Sequence, residues 1–259
     1  MDEWHSLIKG EIPPWVMRFI KQVGRGINHH AMIRSNEAVL LSISGGKDSL
    51  ALALALALRL KWLPINYTME GLLINWIEHP IEEEAQEKLL QFFEALNIPL
   101  TIVNEKQYPE SFKGEFNCYL CARNRRRILF TYAEQHNYKL IATGHHLDDL
   151  VETTLLNLTS RATFATMLPV QEFFNQKLHL IRPMIEVHET TIERVCNHYN
   201  LPVVKPVCPH DYTNIRGKIK PIVKQLGKLD RDVREHIYNA HQFSYKIPRG
   251  EGDPPPAND

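Results

Sequence analysis

"SISGGKDSLALALALALRL", residues Ser42 to Leu60, decides the fold. Overlapping its start is "AVLLSIS" (Ala38 to Ser44), a short, nearly continuous apolar run bounded by polar residues, as a buried parallel strand requires. After Asp48 and Ser49 the chain alternates Leu and Ala as far as Leu58. Alternation is a strand period, yet both residues are strong helix formers without β-branching, so a helix buried nearly all round is expected. Between strand and helix lies "SGGKDS". It is not the Walker pattern G-x-x-x-x-G-K-[ST], but it sits where unpaired backbone N–H groups and the helix dipole favour an anion. Gly45 and Gly46 allow a tight bend and a close approach to phosphate. Ser44 and Ser49 offer hydroxyls, and Lys47 offers a positive charge. Asp48 would repel a phosphate in direct contact, so it is assigned as a helix cap or a ligand for Mg²⁺ bridging the phosphates. A plain strand-to-helix turn capped by Ser and Asp is the simpler alternative, and the full hexapeptide after a buried strand argues against it.

Outward from this stretch, short apolar strands and longer helices alternate. Asp2 to Asn28 reads as a helical lead-in with Trp15, Phe19 and Ile20 on its apolar side. "INYTMEGLLI", Ile98 to Asn104 and Lys139 to Gly144 read as strands; Ile81 to Leu96, Cys118 to His136 and Asp148 to Leu158 read as helices. "KLHLIRPMIEV" adds a strand or edge segment, and Glu189 to Tyr199 a further helix. The expectation is an α/β fold, a Rossmann-like parallel sheet with helices on both faces and short helical extensions at each end. The expected organisation is a lead-in over 1–30, an α/β domain carrying the glycine turn over 31–208, a basic helical segment over 209–247 and a Pro- and Gly-rich disordered tail over 248–259.

The 259 residues suffice for one large domain, and 30 basic against 30 acidic residues give no overall charge to draw a nucleic acid. Local charge differs. Lys205 to Arg234 holds eight Lys or Arg against three Asp, and "RNRRR" (Arg123 to Arg127) holds four more. The first residues contain acids and no apolar core of a secretory signal, and Leu50 to Leu58 is too short to span a bilayer. A cytoplasmic protein without membrane contact is expected.

Four cysteines, two of them spaced C-x-x-C, suggest a ligand or redox site rather than a disulfide framework. "NCYLCARNRRRILF" puts Cys118 and Cys121 one helical turn apart, able to face one metal. Zinc, a redox disulfide, an iron–sulfur cluster and simple structural cysteines all remain open. Cys196 lies at a helix-like apolar position, suited to packing, whereas Cys208 sits in a loop between two prolines, a better place for a ligand. Three cysteine ligands would leave one iron of a cubane cluster open to an exogenous sulfur. "ATGHHLDDLVETTLLNL" follows a strand and opens a helix. Asp148 or Asp149 could cap it with Glu152 in the first turn; His145 and Asp149 could be zinc ligands; or Asp149 could lie beside a nucleotide as Mg²⁺ ligand or acid/base.

"SGGKDS" matches the pyrophosphate loop of the N-type ATP pyrophosphatases, which cleave ATP between the α and β phosphates. With "CYLCARNRRRIL", "TGHHLDDLVETTLLN", "LIRPMIEVHETTI" and "LPVVKPVC", the chain resembles the tRNA 2-thiocytidine synthetase family from about Ala31 to about Ser244. That resemblance implies a [4Fe–4S] cluster on Cys118, Cys121 and Cys208, with Arg125 beside it. It implies ATP and Mg²⁺ at Ser44, Gly45, Gly46, Lys47, Asp48, Ser49 and Gly144, with Asp149 in the catalytic pocket. The implied reaction replaces the C2 oxygen of a tRNA cytidine with sulfur from a donor, a cysteine desulfurase or sulfide, and a homodimer is among the implied assemblies. Asp211 stands where the family usually has a further cysteine. A lysidine-synthetase-like or other adenylating enzyme, and a nucleotide-bound iron–sulfur protein without turnover, are the alternatives.

Overall fold

The computed structural model describes residues 4, 10–62, 65–108, 112, 117–204 and 215–241. The expected disordered tail lies outside them, as do Cys208 and Asp211. Among the described residues the chain runs α1 (Pro14–His29), β1 (Ala38–Ile43), α2 (Lys47–Leu60), β2 (Thr68–Trp76), α3 (Glu83–Ala95), β3 (Leu100–Glu105), α4 (Cys118–Gln135) and β4 (Leu140–Ala142). It continues with α5 (Leu147–Arg161), β5 (Val170–Phe173), β6 (Leu178–Ile181), α6 (Glu189–His198), α7 (Ile215–Leu229) and α8 (Val233–Ala240). The six strands form one sheet in the order β3-β2-β1-β4-β6-β5. All neighbours are parallel except β5 and β6.

Side chains of successive strand residues point to opposite faces, and the core divides accordingly. Val39, Leu41 and Ile43 of β1 join a large cluster with α1, α2, α3 and α6, whereas Leu40 joins Leu72, Ile74 and Trp76 in a second cluster under Ile128, Leu129 and Ala133 of α4. Helices therefore cover both faces, as the alternating pattern implied. The Leu/Ala run of α2 is helical, and every residue from Ser49 to Arg59 is buried. It packs between the sheet and the layer of α1 and α6, so it has no solvent side. That position explains a helix with no polar face.

One strand was not foreseen. Val170–Phe173 pairs antiparallel with Leu178–Ile181, Val170 opposite Ile181. The hairpin turns through Phe174, Asn175 and Gln176, all with φ between 54° and 67° and none a glycine, so the usual turn signal is missing.

β1 has β2 on one side and β4 on the other, and the connections diverge between β1 and β4. This is a topological switch point, where ligands of open α/β sheets bind beyond the carboxyl ends of the strands. "SGGKDS" follows β1 and "TGHH" follows β4, so both motifs meet there.

Candidate active site

Gly45 adopts φ +77°, the left-handed region that a side chain disfavours. A Cβ there would also stand 3.1 Å from Val204 Cβ, and the Val204 N–H donates to the Gly45 carbonyl at 2.9 Å. Gly46 is the N-cap of α2. The two serines brace the turn. Ser49 Oγ donates to the Gly46 carbonyl at 2.9 Å and accepts from Ser44 N at 3.3 Å, and Gly46 N donates to Ser44 Oγ at 3.3 Å. Asp48 does not cap the helix, as one expectation had it. Its carboxylate takes Lys47 Nζ at 2.7 Å.

Lys47 also reaches Glu189 at 2.9 Å, and Lys220 of α7 reaches the same Glu189 oxygen at 2.6 Å. Burial works to lower the Lys47 pKa, but the hydrogen bonds and charges of Asp48 and Glu189 outweigh it and hold the ammonium above its ordinary range. For Glu189, burial opposes ionisation, and Lys220 and Lys47 together overcome it, pushing the carboxyl down to about 2. Glu189 N donates to Asp148 Oδ2 at 2.8 Å, and the other oxygen of the buried Asp148 pairs with Arg234 Nε of α8.

The segment after β4 lies against this loop. A Cβ on Gly144 would meet the Asp48 carbonyl carbon at 2.8 Å and Ser49 N at 2.9 Å. His146, not Asp148 or Asp149, is the N-cap of α5, and Asp149 reaches back to accept from His146 N at 3.1 Å. The capping pattern is thus offset by two residues, because Asp148 turns inward to its ion pair. The buried His146 places Nε2 3.6 Å from Asp48 Oδ1 and 3.4 Å from Asp149 Oδ2. Two carboxylates from separate loops thus flank one imidazole. His145 Nδ1 lies 2.8 Å from Thr143 Oγ1, and no three-ligand group among the described residues includes it or Asp149.

Beside the loop opens a cavity of about 720 Å³, lined among others by Ser44, Trp76, Gln107, Cys121, Arg125 and Val204. The C-x-x-C pair occupies the first turn of α4, capped by Asn117, whose Oδ1 accepts from Leu120 N at 3.1 Å. Both thiols are free, Cys118 exposed and Cys121 half-buried, with Gln107 Nε2 donating to Cys121 Sγ at 3.3 Å. Free thiols one turn apart at the positive end of a helix, one of them on the cavity wall, fit an anionic cluster. The Arg125 guanidinium carbon stands 5.9 Å from the Trp76 ring centre, and Arg123, Arg126 and Arg127 are exposed. Cys196 lies buried behind the loop; its thiol, pushed up to about 12 chiefly by burial, donates to the Lys47 carbonyl at 3.4 Å.

Of the sequence-derived residues, the structure brings Ser44, Cys121 and Arg125 to one cavity, and Gly144 and Asp149 to the rim of the same loop. Trp76, Gln107, Glu189 and Arg234 were not singled out. A strand's carboxyl end was a usable signal for Trp76. Glu189 and Arg234 read as ordinary helix-surface charges until the fold supplies their partners.

Residues 17–220 match the family model described as PP-loop domain. The tRNA-cytidine(32) 2-sulfurtransferase of Bdellovibrio bacteriovorus is 30% identical over 232 residues, covering 88% of this chain and 86% of the relative. The protein of that name from Burkholderia cenocepacia is 28% identical over 263 residues, covering 93% and 77% respectively. Among solved structures, the U34-tRNA thiolase NcsA from Methanococcus maripaludis with its [4Fe-4S] cluster superposes with a TM-score of 0.72 at 21% identity, covering 88% of this chain and 78% of that one. At that identity the superposition speaks for the fold. A loop after β1 that prepares a helix N-terminus for an anion, together with a family match over most of the chain, establishes the lineage: this chain belongs to the PP-loop family, within its tRNA 2-thiocytidine synthetase group.

Proposed function

We propose that this chain is an ATP-dependent tRNA sulfurtransferase that activates the C2 oxygen of a cytidine as its adenylate and replaces it with sulfur. The observation that carries the proposal is one cavity lined by Ser44 of the glycine turn together with Cys121 and Arg125. Adenylating and sulfur-handling groups on one cavity suit two steps at one carbon. In the first, the C2 oxygen attacks the α phosphorus, the bond to the β phosphate breaks, and pyrophosphate departs onto Ser44, Gly45, Gly46 and Ser49. Lys47 exchanges Asp48 or Glu189 for a phosphate oxygen, and Asp48 and Asp149 would hold Mg²⁺, which would neutralise phosphate charge. Gly144 lets the second loop close on the first. In the second step, hydrosulfide attacks C2, the C–O bond breaks, AMP leaves and the S–H proton is lost to give C2=S. A persulfide from a cysteine desulfurase would first need a thiol reductant to cleave its S–S bond and release that sulfide. AMP is a good leaving group where a carbonyl oxygen is not.

Cys118, Cys121 and Cys208 would hold a [4Fe–4S] cluster, which supplies an iron with an open position for sulfur. Arg125, held near Trp76, reaches the charged substrate from the same helix. The exposed arginines of α4 and the basic α7 suit RNA phosphates. Among the described residues no helix is long and apolar enough to cross a membrane.

Mass spectrometry of nucleosides from the tRNA of a deletion strain and its parent tests the reading, with loss of 2-thiocytidine expected. Persistence of every thionucleoside overturns it. In vitro, Cys208→Ala is expected to lose iron and thiolation while tRNA-dependent pyrophosphate release partly survives. A variant that keeps both iron and thiolation removes Cys208 from the ligand set.

A further inference from the structure

A second cluster lies apart from the cavity lining. We infer that His29, His30 and Glu186 form a binding site for a divalent transition-metal ion of the zinc class. Each offers one ligand atom, all within 4.8 Å of one another, the one such three-ligand group among the described residues. His29 Nδ1 is 3.2 Å from Glu186 Oε1, and His30 Nε2 is 3.9 Å from the same oxygen. Ligands on a tetrahedral zinc stand about 3.3 Å apart, given metal–ligand bonds of about 2.0–2.1 Å. The carboxylate pairs need to close by little more than half an ångström at most. The remaining pair, within 4.8 Å, needs to close by at most about 1.5 Å, within reach of a side-chain rotation at the exposed His29.

The surroundings favour a cation. His29 ends α1 and His30 is its C-cap, so the negative end of the helix dipole faces the site. The Glu186 side chain is only 16% exposed, and among the described residues the two imidazoles are its ion-pair neighbours, with no lysine or arginine paired to it. The backbone is held in place: Gln22 Nε2 donates to the Glu186 carbonyl at 2.8 Å, which leaves the carboxylate to the site. Tyr238 Oη of α8 sits 2.9 Å from His30 Nε2, where it can yield that nitrogen to the metal and turn to a bound water. Two imidazoles and one carboxylate select Zn²⁺, Co²⁺, Ni²⁺ or Cu²⁺ over Mg²⁺ or Ca²⁺. A metal here would tie the end of α1 to the segment before α6, with α8 alongside, and would stabilise the chain as any ligand of the folded state does.

The test uses the full chain as purified, with its own iron content measured, dialysed against Zn²⁺ and then against Co²⁺. Wild type is expected to hold about one zinc per chain more than His29→Ala or Glu186→Gln, in keeping with a single three-ligand site. Iron content and thiolation should be the same in all three. The Cys118→Ser variant should keep this zinc. Co²⁺ should give d–d bands without a thiolate charge-transfer band, and the zinc-induced rise in melting temperature should vanish in Glu186→Gln. Equal zinc in wild type and Glu186→Gln overturns the proposal, as does loss of the extra zinc in Cys118→Ser. Should His29→Ala fail to fold, Glu186→Gln still decides, because the Gln22 contact uses the backbone.

Discussion

Gly144 shows how closely the two loops at the carboxyl end of the sheet approach. The atoms a Cβ would meet at 2.8 and 2.9 Å are backbone atoms of Asp48 and Ser49, which cannot step aside as a flexible side chain could. Gly144→Ala is therefore expected to cost about 1–3 kcal/mol, the usual range for overpacking. It should lower the urea midpoint with little change in slope and weaken ATP binding, because the displaced atoms belong to the first turn of α2. An unchanged midpoint would mean that the loops part more easily than their contact implies. At Gly45 the constraint is the positive φ and the Val204 side chain together, so a substitution meets strain and contact at once.

At the scale of elements, α2, α6 and α7 are joined through one carboxylate. Glu189, at the start of α6, holds Lys47 of α2 and Lys220 of α7. Its folded value of about 2 lies below the ordinary glutamate value of about 4.3. A depressed carboxyl contributes stability that is fully present above its unfolded value and disappears as the pH falls through its folded value. The contribution is thus expected at neutral pH and lost between about pH 4 and pH 2, the span between those two values. Glu189→Gln should flatten that part of the acid limb and lower stability at pH 7 by about 1.5–3 kcal/mol, the range for a hydrogen bond to a charged group. Chemical denaturation at several pH values reads both effects. An acid limb identical to wild type would show that the ion pairs contribute nothing net.

At the scale of the molecule, α7 and α8 lie on α5 and are fastened to the site region by charge. Arg234 of α8 pairs with the buried Asp148, Glu235 with His188 at 2.6 Å, and Lys220 of α7 with Glu189. The glycine turn and the basic α7 are therefore linked through Lys47, Glu189 and Lys220. Arg234→Ala leaves Asp148 buried without its guanidinium. The expected cost is about 2–4 kcal/mol, the range for breaking a buried pair reduced for the partial exposure of Arg234. Limited proteolysis should then cut within 215–241 sooner than in wild type. Equal proteolytic lifetimes would show that apolar packing, not this pair, holds α8.

Features set by neighbours along the chain were legible in the sequence. The strand before the turn, the glycine pair between strand and helix, the helical α2 and the one-turn spacing of Cys118 and Cys121 all follow from local periodicity, backbone freedom and helix geometry. The sheet order decided the rest. It brought Gly144 onto Asp48, set Arg234 against Asp148 across 86 residues, and placed His29 beside Glu186 across 157. Neither an ion pair nor a ligand set so far apart leaves a periodic trace, because each charged residue alone reads as a solvated surface position. The β5–β6 hairpin escaped because its turn uses left-handed residues other than glycine, so no glycine marks it.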